Sequence, residues 1–187
     1  DGKVGSRHYG EMCVPVEGEF MQHVKQGGLE SEELVLVDLA DWLAESWEDG
    51  VRYVFGPGST LHGLAQNLGL ETTLLGVDVI ENGQVIARDV TEAQLFALID
   101  GHPARLLVTA IGGQGHIIGR GNQQISPRVL RAIGLEHLRV IATKRKLGTL
   151  EGRPLRVDSG DPALDEAFPD AVRVWSGYRE ELLYPLA

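Results

Sequence analysis

The chain has 187 residues, 43% of them hydrophobic, and a formal charge of −10 from 17 Lys and Arg against 27 Asp and Glu. That is enough apolar material for one ordinary core or two small ones, while the acidic balance argues against a general binder of nucleic acid or of anionic membrane surfaces. The charge is uneven, with −13 over residues 1–103, +8 over 104–156 and −5 over 157–187, so the central segment can still hold a small polyanion locally.

Residues 1–28 are irregular, with a short strand expected over residues 9–16 and a break at Gly27-Gly28. Residues 30–48 read as an amphipathic helix, with Leu34, Val37, Leu39, Leu43 and Trp47 on one face and Glu32, Glu33, Asp41, Glu45 and Glu48 on the other. Residues 51–55 form a strand, Gly56-Pro57-Gly58 a turn, and Ser59 or Thr60 an N-cap for a helix that stops at Gly69. Beyond Gly69 the chain is richer in strands. Residues 72–80 and 84–90 make a hairpin across Asn82-Gly83. Thr91 to Gln94 is a capping box opening a helix that ends before Gly101 and Pro103. A strand over 104–111 runs into a glycine loop, and Ser126-Pro127 opens a helix that stops at Gly134. Strands are expected over 138–142, 155–157, 172–175 and 181–184, with a short helix capped by Asp161-Pro162.

Several bounds on function follow from what is missing. A single cysteine, Cys13, excludes an intrachain disulfide framework and a Cys-based zinc site. The six histidines show no metal-ligand spacing, and only His116, inside the glycine loop, is a functional candidate. No apolar run approaches the ~20 residues needed to cross a bilayer, and residues 1–30 lack a secretory pattern. The expectation is a cytoplasmic protein without membrane or nucleic-acid partners.

Four constellations carry chemistry. Gly56, Gly58, Ser59 and Thr60 join a strand to a helix, where backbone N–H groups, hydroxyls and the helix dipole suit an anion. Neither a Walker Lys nor a full G-x-G-x-x-G is present, and a plain tight turn accounts for the same residues. The loop with Gly112, Gly113, Gln114, Gly115, Arg120, Asn122, Gln123 and Gln124 combines close backbone approach with amides and a guanidinium that read phosphate, ribose or base. Lys144-Arg145-Lys146, after Thr143 at a strand end, either meets polyphosphate or lies solvated on the surface. Asp158 is a candidate ligand for magnesium, and Asp161 a helix cap.

The order and spacing of residues 53–60 (YVFGPGST), 74–79 (LLGVDV), 108–127 (VTAIGGQGHIIGRGNQQISP), 141–147 (IATKRKL) and 155–162 (LRVDSGDP) resemble the ATP-NAD kinase-like family. The resemblance extends over most of the chain and is weakest in the first thirty residues. It implies a mixed α/β (α+β) fold: residues 1–70 as a remnant of, or connection to, an α/β nucleotide-binding domain, and 71–187 as a β-rich carboxyl-terminal domain with short helices. It implies transfer of a phosphoryl group from ATP or polyphosphate to the 2′-hydroxyl of NAD with Mg2+. Residues 108–127 correspond to an NAD-site stretch, Asp78 and Lys144 or Arg145 join the nucleotide contacts, and a homodimer or tetramer is expected. The family's Gly-Gly-Asp-Gly-Thr, whose Asp is the presumed base, does not occur in these 187 residues. The chain therefore reads as the NAD-binding carboxyl-terminal half of such a protein, and its start at Asp1 rather than Met agrees. The alternative is a non-catalytic module on the same scaffold that binds a nucleotide or another phosphorylated metabolite.

Overall fold

The computed structural model describes residues 31–187, so the strand expected over residues 9–16 and Cys13 lie outside the described residues. Helix α1 (Glu32–Glu45) is capped by Ser31, whose side chain accepts from the Leu34 N–H. Its buried stripe is Val35, Leu39, Ala40 and Leu43. Leu34 and Val37, expected inside, are 60% and 40% exposed. At 100° per residue Leu34 and Val37 fall outside the arc that runs from Val35 to Ala40. Strand β1 (Arg52–Phe55) leads to α2 (Ser59–Asn67), then β2 (Asp78–Glu81) and β3 (Gln84–Ala87) form the expected hairpin. Asn82 and Gly83 both take positive φ, 49° and 71°, as a type I′ turn requires. Residues 72–77 are not strand, and Leu74 and Leu75 face solvent.

Helix α3 (Glu92–Ile99) opens on the full Thr91/Gln94 capping box. Strand β4 (Ala104–Val108) ends three residues before the expected Ile111, and β5 (His116–Ile118) follows. Next come α4 (Pro127–Ile133), β6 (Leu138–Ile141), α5 (Lys144–Gly148), β7 (Arg156–Val157), α6 (Pro162–Asp165), β8 (Ala171–Gly177) and β9 (Glu180–Pro185). Seven strands form one mixed sheet in the order β3-β2-β1-β4-β6-β8-β9, and β5 and β7 pair separately. The four central strands β1, β4, β6 and β8 run parallel, with antiparallel hairpins at both edges. Strand β1 is thus held on both sides by strands from beyond residue 70.

Both faces of the sheet are covered, giving two cores. Tyr53, Phe55, Leu107 and Ile141 pack with α1 and α2, while Val54, Leu106, Val108, Val140 and Val174 pack with α3, α4 and β5. Burial on both faces explains why β4 reads Leu106-Leu107-Val108 without polar alternation. Each fully buried Leu or Ile contributes roughly 1.5–3 kcal/mol. Trp42 of α1 meets Trp175 and Tyr178 edge-on, and Tyr178 donates to Glu45, tying the β8–β9 hairpin to α1.

Candidate functional site

The turn after β1 enters a helix on one face of the sheet, whereas the loop after the adjacent β4 leads to α4 on the other. Neighbouring parallel strands whose connections diverge in this way open a crevice at their carboxyl ends. There the Gly56 N–H donates to the Leu107 carbonyl at 2.9 Å, continuing the ladder, and a Cβ on Gly56 would lie 3.3 Å from that oxygen. Gly58 has φ +130°, and a Cβ on it would meet the Thr109 methyl at 2.8 Å, so a larger residue would collide with β4's exit. Gly58 itself is the N-cap of α2. Ser59 and Thr60, expected as caps, are the first helical residues, and the cap falls one position earlier on Gly58, whose φ of +130° suits glycine. Helix α2 therefore begins without a side-chain cap.

At the end of β6, Thr143 caps α5 by accepting from the Lys146 N–H at 3.1 Å. The basic triplet consequently lies on a helical turn rather than along a strand end, and its three members separate. Lys144 pairs with Glu180 at 2.6 Å, and Arg145 faces Glu32 at 3.8 Å, both exposed. Lys146 turns inward, and its ammonium donates to Thr60 Oγ1 at 3.0 Å and Thr109 Oγ1 at 3.1 Å. Burial pushes this ammonium below its ordinary pKa, against the smaller opposing pull of the Glu32 carboxylate. An open cleft of about 520 Å³ adjoins the cluster, lined by Glu32, Glu33 and Leu36 of α1, Ser59 and Thr60 of α2, and Arg145.

The glycine loop divides its polar groups. Gly112 to Gln114 make one 3-10 turn, and the Ile111 N–H donates to the His116 carbonyl at 2.7 Å, closing the loop's entrance. Asn122 is buried: its Nδ2 donates to the Ile117 carbonyl at 2.9 Å and its Oδ1 accepts from the Gly119 N–H at 2.8 Å. Gln114 and Arg120 are exposed, and the guanidinium donates to the Gln114 amide oxygen. Gly113 and Gln123 are exposed and Gln124 half-buried, whereas Gly115 is buried against Leu150 and the Pro154 carbonyl. The loop's far end returns to the crevice, since Ile125 lies beside the space left by Gly56.

Two carboxylates complete the placement of the expected residues. Asp78, opposite Phe55 in register, is buried and accepts from the Thr73 N–H at 2.7 Å, the Thr73 hydroxyl and the Asp89 N–H at 2.9 Å. It thereby fixes the segment whose Leu74 carbonyl receives the Gly58 N–H, so it shapes the crevice from behind. Asp158 is exposed beyond β7, with its carbonyl against Gly119. Among the described residues no three His, Cys, Asp or Glu side chains gather.

Residues 48–186 match the model of the ATP-NAD kinase C-terminal domain. The chain belongs to that family. No curated protein and no solved structure matches it. The match makes this an NAD kinase-like domain of a transferase family, with NAD and ATP as the family's ligands. It includes every site residue named above except those of α1, so one wall of the cleft comes from outside the matched NAD kinase domain. No described helix is long and apolar enough to cross a membrane.

Two features of the site carried a local signal that composition concealed. Lys146 is the third residue of a Thr-capped turn after an apolar strand, a position that folds back over the strand end. Thr109 directly follows β4 at the same edge.

Proposed function

We propose that the chain is the NAD-binding half of a kinase that moves a phosphoryl group from ATP or polyphosphate to the 2′-hydroxyl of NAD. One observation carries this beyond the family assignment. The exits of β1, β4 and β6 bring Gly56 to Thr60, Thr109 and Lys146 together, and the glycine loop returns to the same edge at Ile125. In this reading Gly112, Gly113, Gln114, Arg120, Gln123 and Gln124 face the dinucleotide, Gly115 and Asn122 hold their backbone in place, and Lys144 and Arg145 steer phosphates from the rim. Magnesium would neutralise charge developing on the transferred group, and it would rest on Asp158 and the nucleotide's own phosphates, as this ion commonly does with one or two carboxylates. The acceptor for the 2′-hydroxyl proton comes from a Gly-Gly-Asp-Gly-Thr motif outside these residues. The reading includes a cytoplasmic setting and a homodimer or tetramer.

Calorimetry of the chain with NAD, NADP, ATP and polyphosphate tests the binding half, and no binding to any of them would overturn it. Arg120→Ala should weaken NAD binding by about tenfold, the worth of one charge-assisted contact, without lowering the unfolding temperature. Formation of NADP by the protein supplied with the missing motif tests the chemistry. Binding without NADP formation favours the non-catalytic nucleotide-binding module.

A further inference from the structure

The ammonium of Lys146 has three N–H donors. Two go to Thr60 Oγ1 and Thr109 Oγ1, and each hydroxyl, having accepted, still has its own proton to donate. Thr60 and Thr109 are 3% and 1% exposed. Among the described residues neither hydroxyl proton nor the third N–H has an acceptor, and no carboxylate lies within ion-pair distance of Lys146. Three donors and one positive charge are thus gathered here without an acceptor among the described residues. A purely structural lysine in such surroundings is expected to pair directly with Asp or Glu, because a half-buried charge is costly when its hydrogen bonds go only to neutral hydroxyls. The neighbouring Lys144 and Arg145 do face carboxylates.

We infer that Lys146, Thr60 and Thr109 form a subsite for a phosphoryl group, held by one ammonium and two hydroxyl donors. A tetrahedral oxyanion offers several oxygens to donors arriving from different directions, whereas a carboxylate offers two in one plane. The setting is consistent with an anion: α2 is nine residues long, starts at Ser59 and lacks the side-chain cap that α1, α3, α4, α5 and α6 all carry. Thr60 also lines the open cleft, which leaves room for whatever the phosphoryl group is attached to. Glu32 and Glu33 also line that cleft, and Glu32 is paired there with Arg145 at 3.8 Å. The subsite deepens the nucleotide reading and rests on it only for the identity of the rest of the ligand.

Protection from reductive methylation tests it without any activity measurement. The chain has four lysines, at positions 3, 25, 144 and 146, so peptide mapping follows each separately. With millimolar pyrophosphate, Lys146 should react about tenfold more slowly, and Lys144, held at the rim by Glu180, should slow far less, relative to sodium chloride of equal ionic strength. Equal slowing of both lysines, or of neither, would overturn the subsite. As a second measure, Lys146→Gln and the double variant Thr60→Val/Thr109→Val should each lose pyrophosphate binding in calorimetry by about tenfold or more. Arg173→Ala, at an exposed cation of β8 outside the site, should keep it, and retention in the first two variants refutes the assignment. If NAD binds while Lys146 stays unprotected, the subsite fails and the dinucleotide reading stands. If Lys146 is protected but NAD does not bind, the subsite stands and the dinucleotide reading fails.

Discussion

Alanine at Gly119 would place its Cβ 1.8 Å from the Asp158 carbonyl oxygen, where real Cβ contacts do not fall below 3.0 Å. The backbone of β7's exit or of the glycine loop must then shift by more than an ångström. Gly119 also has φ +94°, which costs an L-residue about 1–3 kcal/mol. The shift adds an overpacking cost of about 1–3 kcal/mol and strains two hydrogen bonds, Gly119 N–H to Asn122 Oδ1 at 2.8 Å and Asp158 N–H to the Ile118 carbonyl at 3.3 Å. A loss of about 3–6 kcal/mol follows, a large part of the ~5–15 kcal/mol that holds a domain folded. Gly121 supplies the control. Its φ is +79°, but a Cβ there would meet only Ile111 at 3.7 Å, so Gly121→Ala should cost about 1–2 kcal/mol of backbone strain alone. Urea unfolding followed by tryptophan fluorescence measures both, and equal losses within the ~10–15% error of the extrapolation would refute the close approach of loop and β7. An insoluble Gly119→Ala beside a soluble Gly121→Ala is the same result in a more severe form.

Asn122→Ala removes the amide that satisfies the Gly119 N–H and the Ile117 carbonyl, leaving both unpaired beside a buried position. It should cost about 2–4 kcal/mol in urea unfolding, against less than ~0.5 kcal/mol for the exposed Gln123→Ala; similar values for the two would contradict the bracing role. Glu92 accepts from Arg128 and from Ser126 at 2.6 Å, joining α3 to the start of α4, and these bonds hold its carboxyl at about 2, well below the ordinary 4.5. A lowered folded-state pKa means stabilisation that is complete above pH 4.5 and lost as pH falls through about 2. Glu92→Gln should therefore flatten the acid limb of the stability curve in that window, and an unchanged limb would count against the pairing. Lys146 has a linkage of the same sign from a different cause: burial holds its folded-state pKa below 10.5, so the unfolded chain binds more protons as pH approaches that value and stability rises with pH there. In Lys146→Met the rise should be absent; its persistence would assign it to another group.

The elements legible in the sequence are those that a few neighbouring residues decide. Asn82-Gly83 accepts two successive positive φ values at little cost, Thr91 and Gln94 satisfy each other's backbone donors, and Ser126-Pro127 and Asp161-Pro162 each pair a cap with a preset φ. What was hidden depends on residues far apart in the chain. The cap of α2, Gly58, has no room for a side chain because Thr109, 51 positions later, occupies the space a Cβ would need. Asn122 is indistinguishable in composition from Gln123 and Gln124, yet only Asn122 reaches the two backbone groups across the turn. The same distinction separates the three adjacent cations. Charge counting treats Lys144, Arg145 and Lys146 alike, but a helical turn of 100° per residue aims them in different directions. Two face acidic partners at the surface, and the third meets hydroxyls supplied by the exits of two other strands. A basic segment of +8 thus presents a candidate site only through the parallel order of β1, β4 and β6, which sets their carboxyl ends side by side and leaves one lysine over them without a carboxylate in ion-pair distance among the described residues.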